Sequence, residues 1–226
     1  MIRLHIIAEG QTEEEFVNTI LAEHLADFNV FTDVHCVTTK QTKTQVYRGG
    51  LVSYEKAKKD ILLWLKQEKG NKDVRFTTMW DLYALPNDFP QIDEAKRICD
   101  PYQKVKKLET ALADNIDDYR FIPYIQLHEF EALILTDPSK LIDRFPEYDK
   151  PVQELVANCK KYSSPELIND GETTAPSKRI IQFIPSYKGA KLSVAPLMVQ
   201  KIGLPTIRNQ CPHFNEWLIQ LENLNN

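Results

Sequence analysis

The sequence predicts an α/β protein: a parallel sheet with crossover helices, followed by a helical C-terminal segment. Two observations carry this expectation. In the first half of the chain, short apolar runs alternate with stretches in which apolar residues recur every three or four positions. Beyond about residue 138 no strong strand pattern recurs, and eight prolines from Pro146 to Pro212 punctuate short helical pieces. At 226 residues the chain has room for one large domain or two small ones. The expected division is an α/β domain over 1–137 and a helical segment over 138–226 packed on it.

Each element has a local reason. Residues 2–8, IRLHIIA, read as a buried strand. Glu9-Gly10-Gln11 makes a turn, and Thr12 with Glu15 three residues on fits a capping box. Phe16, Val17, Ile20, Leu21 and Leu25 then follow helical spacing. A second apolar run, Val30 to Val37, gives way to a polar loop from Thr38 to Gly50. A helix is expected near 52–69 on Ala57, Ile61, Leu62, Trp64 and Leu65, stopped by Gly70. Val74 to Trp80 is the third strand, Ile92 to Ile116 is mainly helical, and Tyr119 to Leu127 is the fourth strand. Glu129 to Leu135 looks helical, and Asp137-Pro138 fits an N-cap followed by proline at the first helical position.

Composition excludes several classes. Hydrophobic residues make up 42% and charged residues 27%, ordinary values for a globular protein. No run approaches the ~20 apolar residues of a membrane span. The apolar stretch in MIRLHIIAEG is too short for a signal peptide, so cytosol is the expected compartment. Cys36, Cys99, Cys159 and Cys211 are widely spaced, with no CxxC pair. That spacing argues scattered reduced thiols rather than a cysteine-based zinc site. There is no Walker A sequence and no GxGxxG, which argues against a P-loop ATPase or a dinucleotide enzyme.

Charge is segregated. The net charge is −4, yet Thr173 to Asn215 holds six basic residues and no acid: Lys178, Arg179, Lys188, Lys191, Lys201 and Arg208. Residues 34–54 hold Lys40, Lys43 and Arg48, again without an acid. Such a pattern suits an anionic partner, nucleic acid above all, and equally suits a terminal segment that balances an acidic body.

Ligands of open parallel sheets bind outside the carboxyl ends of the strands. The first strand runs into Glu9, the second toward Lys40, the third into Asp81, and the fourth into His128-Glu129 with Glu131 beyond. Several carboxylates on one rim repel, and a hard cation such as Mg²⁺ or Mn²⁺ relieves that repulsion. Acids at strand ends also serve as solvated loop residues or helix caps. Glu13, Glu14 and Glu15, in a first helical turn, suit that simpler role. His128 is placed to assist at the rim. His5 and His35, inside strands, are expected to be satisfied core or face residues. Trp64 and Trp217 fall on helical core stripes.

Three motifs then carry a resemblance. IIAEGQTEEEFV resembles the first motif of TOPRIM-type domains, a strand, Glu-Gly, then a helix. TTMWDLYALPNDFP and IQLHEFEALIL are similar to the second and third acidic motifs of a bacterial TOPRIM-like family of unknown function. PSKRI and CPHFNEWL resemble its tail. The resemblance implies a Rossmann-like TOPRIM fold and a Mg²⁺- or Mn²⁺-dependent site for phosphodiester chemistry. It would put metal ligands at Glu9 and Asp81 and make Glu129 and Glu131 candidate replacements for a missing acid. Where TOPRIM domains have Asp-x-Asp, this chain has Asp81-Leu82-Tyr83, and the next aspartate is Asp88. The nuclease-type branch also places a lysine near the site, with Lys188 and Lys191 as the nearest analogues and Lys178 and Arg179 close behind.

The expected function is therefore a metal-dependent nuclease acting on DNA or RNA. Glu9, Asp81, Lys188 and Lys191 would be catalytic. Lys178, Arg179, Lys201, Arg208, Lys40 and Arg48 would track the nucleic-acid backbone. The resemblance further implies phage defence beside an ATPase partner. The alternative is a catalytically weak interaction subunit that keeps the fold and binds that ATPase or nucleic acid.

Overall fold

The computed structural model describes residues 1–41, 46–48, 51–169 and 174–225, with backbone alone over 38–41 and 46–48. Two compact units emerge: Met1–Gln126 together with Ile219–Asn226, and Leu127–Leu218. The division falls at Gln126/Leu127, where the last strand ends, rather than at 137/138. The C-terminal residues belong with the first unit, where His24 pairs with Glu222 at 2.7 Å.

The first unit is built on a parallel sheet. Its strands are β1 (Ile2–Ala8), β2 (Val30–Cys36), β5 (Val74–Asp81), β6 (Phe121–Ile122) and β7 (Ile125–Gln126). The order is β2-β1-β5-β6, with β7 also paired to β5, and every one of these pairings is parallel. β1 therefore lies at the centre, with the second strand on one side of it and the third on the other. Leu4, Ile6 and Ile7 of β1 and Phe76 and Trp80 of β5 are fully buried. Each such side chain contributes about 1.5–3 kcal/mol relative to exposure. Burial of both strand faces is why these segments read as continuous apolar runs.

The connections are helical. α1 (Gln11–Phe16) passes through a π-helical turn at Val17–Leu21 into α2 (Ala22–Ala26). Its N-cap is Gly10 rather than Thr12: the Glu13 carboxylate accepts a hydrogen bond from Gly10 N at 2.9 Å. α3 (Tyr54–Gln67) precedes β5, and Gly70 follows it with φ +83°. The mainly helical stretch over 92–116 is two helices, α4 (Ile92–Ala95) and α5 (Pro101–Ile116). Pro101 lacks the N–H needed to continue a helix, and Asp100 caps α5 by accepting from Gln103 N at 2.8 Å.

Two expectations change in detail. The segment expected as a polar loop contains a two-stranded antiparallel ribbon, β3 (Thr38–Gln41) with β4 (Val46–Arg48). The single fourth strand is split into β6 and β7 around Pro123-Tyr124. Proline cannot donate to the ladder, and Thr78 Oγ takes over, accepting from Tyr124 N at 2.9 Å and donating to Tyr124 O at 2.8 Å.

The second unit is helical, as the proline spacing implies. Its helices are α6 (Asp149–Cys159), α7 (Pro176–Phe183), α8 (Tyr187–Ile202), α9 (Leu204–Gln210) and the start of α10 (Pro212–Glu222). The expected helix over 129–135 is a pair of 3-10 turns, Phe130–Ala132 and Ile134–Thr136. Among the described residues, no helix is long and apolar enough to cross a membrane. None of the four cysteines is in a disulfide; Cys99 is exposed and the others are buried.

Candidate functional site

The sheet order creates a candidate site within the first unit. Strand order reverses between β1 and β5, which makes their C-terminal ends a topological switch point, where open α/β sheets bind ligands. Glu9 directly follows β1, and Asp81 closes β5. Parallel pairing of Ala8 with Met79 sets the level, and Glu9 N donates to Met79 O at 3.1 Å. The Glu9 carboxylate bends across to its neighbour, with Oε2 accepting from Asp81 N at 3.0 Å. Both acids are half-buried. At the end of β2, Cys36 donates from Sγ to Gly10 O and to Glu14 Oε2, each at 3.4 Å.

Asp88, the next aspartate after Asp81, is committed to a structural role. Its carboxylate accepts from Ser53 Oγ at 2.9 Å, Tyr54 N at 3.0 Å and Glu55 N at 3.3 Å, so it caps α3 from outside the helix. Burial raises its pKa, but these hydrogen bonds together outweigh that and hold it below the ordinary carboxylate range.

The second unit holds Glu129 and Glu131, each with its own partners. Glu129 caps α7, its Oε2 accepting from Ser177 N at 2.9 Å. Glu131 is fully buried. Its Oε1 accepts from Tyr187 Oη at 3.1 Å and lies 3.1 Å from Lys191 Nζ. Tyr187 and Lys191 stand four apart on α8, so one helix face delivers both partners. Burial pushes the Glu131 carboxyl above its usual range, the Lys191 ammonium pulls against that, and nearby Glu129 adds to the rise. Burial, with Glu131 beside it, raises the Tyr187 hydroxyl as well. His128 is buried with φ +64°, its Nδ1 3.4 Å from Asn169 Nδ2.

The basic residues separate into distinct roles. Lys178 and Lys188 are exposed. Arg179 is buried rather than displayed, with Nη1 donating to Asn158 Oδ1 at 2.5 Å and the guanidinium over the Tyr162 ring. Lys201 pairs with Asp143 at 2.6 Å, and Arg208 donates to Asn215 Oδ1 at 2.8 Å. Lys40 lies in β3 and Arg48 in β4, and their side chains, like all of Lys43, fall outside the described residues.

Sequence reasoning missed two features. Glu166, fully buried, accepts from His213 N and Phe214 N at 3.1 and 2.9 Å and so caps α10. On the sheet face, His5, Asp33 and His35 meet as a cluster of possible metal ligands. The signal for it was only the pairing register of β1 with β2, which spacing along the chain does not reveal.

The model of the family described as "Domain of unknown function (DUF4276)" matches residues 8–222, nearly the whole chain. No curated protein and no solved structure matches. The match begins at the last residue of β1, just before Glu9, and runs to the last residue of α10, taking in both acidic strand ends and the Glu131–Lys191 pair. The chain belongs to the DUF4276 family.

Proposed function

We propose that this protein is a cytosolic, metal-dependent nuclease of TOPRIM type, acting on phosphodiester bonds in DNA or RNA. The observation that carries the reading is the meeting of Glu9 and Asp81 at the switch point between two adjacent parallel strands. Their donor atoms are hard carboxylate oxygens, which suit Mg²⁺ or Mn²⁺. Glu9 and Asp81 would hold such an ion. A bound divalent ion supplies charge neutralisation at a phosphate and a more acidic water.

The chain's own residues do the rest. The Asp81 N–H fixes one Glu9 oxygen, so the glutamate is oriented before any ligand arrives. Lys188, exposed on α8, supplies positive charge for a phosphate developing negative charge in its transition state. Lys191, one turn on, shares its charge with Glu131. Lys178 adds a phosphate contact on the acid-free segment.

The test is cleavage of labelled single- and double-stranded DNA and RNA in Mn²⁺, with Asp81→Asn alongside. Cutting by the wild type and its loss in the variant support the reading; equal traces from both overturn it. A second reading has its own observation. The second motif lacks its later aspartate, and the nearest acid, Asp88, is committed to capping α3. That favours a catalytically weak subunit which binds an ATPase partner or nucleic acid, in phage defence or elsewhere. Such a subunit would leave all four substrates uncut in the same assay.

A further inference from the structure

We propose that His5, Asp33 and His35 form a binding site for one transition-metal ion of the zinc class on a face of the sheet. The site is separate from the carboxylates at the strand ends and independent of the nuclease reading. His5 lies in β1 four residues before Glu9, about 13 Å along the strand.

The register builds it. β1 and β2 pair in parallel with His5 opposite Asp33 and Ile7 opposite His35. Asp33 and His35 are two apart, so they point to one face, and parallel pairing puts His5 on that same face. The three ligand atoms form a triangle. His5 Nδ1 lies 3.2 Å from His35 Nε2 and 3.5 Å from Asp33 Oδ2, and His35 Nε2 lies 3.6 Å from Asp33 Oδ2. Zinc bonds of 2.0–2.2 Å in tetrahedral geometry require ligand atoms about 3.3–3.6 Å apart. Octahedral geometry at the same bond lengths would require about 2.8–3.1 Å. The observed triangle therefore matches three corners of a tetrahedron.

The surroundings fit the same ion. Two imidazoles and one carboxylate select zinc-like metals over Mg²⁺ or Ca²⁺. The rings are fixed by stacking, His5 on Phe76 at 4.9 Å and His35 on Trp64 at 4.8 Å. Metal-bound histidines commonly give their other ring N–H to a carboxylate. His5 Nε2 is buried without a hydrogen bond, and Glu68 Oε1 stands 3.7 Å from it. The side chain of His5 is only 7% exposed, whereas those of His35 and Asp33 are 32% and 36% exposed. The fourth position thus faces water, the arrangement of a three-ligand site that keeps one place open. Arg3 lies 3.2 Å from Asp33 Oδ2 and 3.5 Å from Glu68 Oε1, holding both acids by its charge. A cation arriving at Asp33 displaces Arg3, whose side chain is already more than half exposed. Because β2 is an edge strand, the ion also clamps it to β1.

The test uses the tag-free full chain, stripped of metal by a chelator and titrated with Co²⁺ as an optical stand-in for zinc. A visible absorption band saturating at one equivalent and displaced by Zn²⁺ is expected. His35→Ala and Asp33→Asn, both at partly exposed positions, should weaken binding at least 100-fold. Glu68→Gln should weaken it about 10–100-fold. Arg3→Gln should tighten it several-fold, and Asp81→Asn should leave it unchanged. Absence of the band from the wild type, or a band that survives in both His35→Ala and Asp33→Asn, overturns the proposal.

Discussion

The Asp81 N–H donates to Glu9 Oε2 at 3.0 Å, tying together the ends of two strands that lie 72 residues apart in sequence. A bond from backbone to carboxylate leaves the Asp81 side chain out of the link. Asp81→Asn should therefore cost little stability, while Glu9→Leu should cost about 1–3 kcal/mol by removing a charged acceptor from a partly buried N–H. Urea titration of the two variants measures the difference.

Millimolar Mn²⁺ should raise the wild-type melting temperature, since a ligand of the folded state alone stabilises by RT ln(1 + [L]/Kd). Asp81→Asn should lose that gain. Differential scanning calorimetry with and without Mn²⁺ checks it, and equal shifts in both proteins would remove Asp81 from the metal ligands.

Lys191→Met should destabilise the second unit by about 1–3 kcal/mol, because it leaves the buried Glu131 carboxyl without the partly exposed ammonium beside it. Glu131→Gln in the same background should recover much of the loss. Denaturant unfolding of the two single variants and the double variant gives the coupling, and strict additivity would contradict it.

Asp118 reports on acid sensitivity. Hydrogen bonds from Arg120 hold its carboxyl below the ordinary range, against an opposing effect of burial. A depressed pKa contributes stability that is present above the unfolded value, about 3.9, and is lost as pH falls through the folded value. Asp118→Asn should thus be less stable than the wild type at pH 7, with the gap narrower at pH 3. Urea midpoints at the two pH values are the measurement.

Nucleic-acid binding, if direct, should weaken with salt, log affinity falling by about 0.7–0.9 per phosphate contact for each tenfold rise in salt. Lys188→Ala should reduce cleavage more than binding, because the charge it supplies matters most in the transition state. Lys201→Ala should change either very little, since Lys201 is engaged by Asp143. Filter binding at two salt concentrations, with initial cleavage rates, separates these outcomes.

Local chemistry determined much of this protein from the sequence alone. The apolar runs of β1, β2 and β5, the helical spacing of α3 and the proline-divided second half follow from burial and backbone constraints acting within a few residues. So did the placing of Glu9 and Asp81 at strand ends, because a strand's last apolar residue marks where the chain leaves the core. Tertiary structure decided what depends on pairing and direction. Which strands are neighbours brought Glu9 to Asp81. Register set His5 against Asp33 and His35, and a slip of one residue would have turned those side chains to opposite faces. Packing turned Arg179 inward to Asn158, although by charge it had looked like part of a nucleic-acid surface, and it gave Asp88 to α3. The physical reason is range: propensity and capping act over a turn of chain, whereas the partner of a charged side chain is chosen by residues tens of positions away that meet it only once the fold has formed.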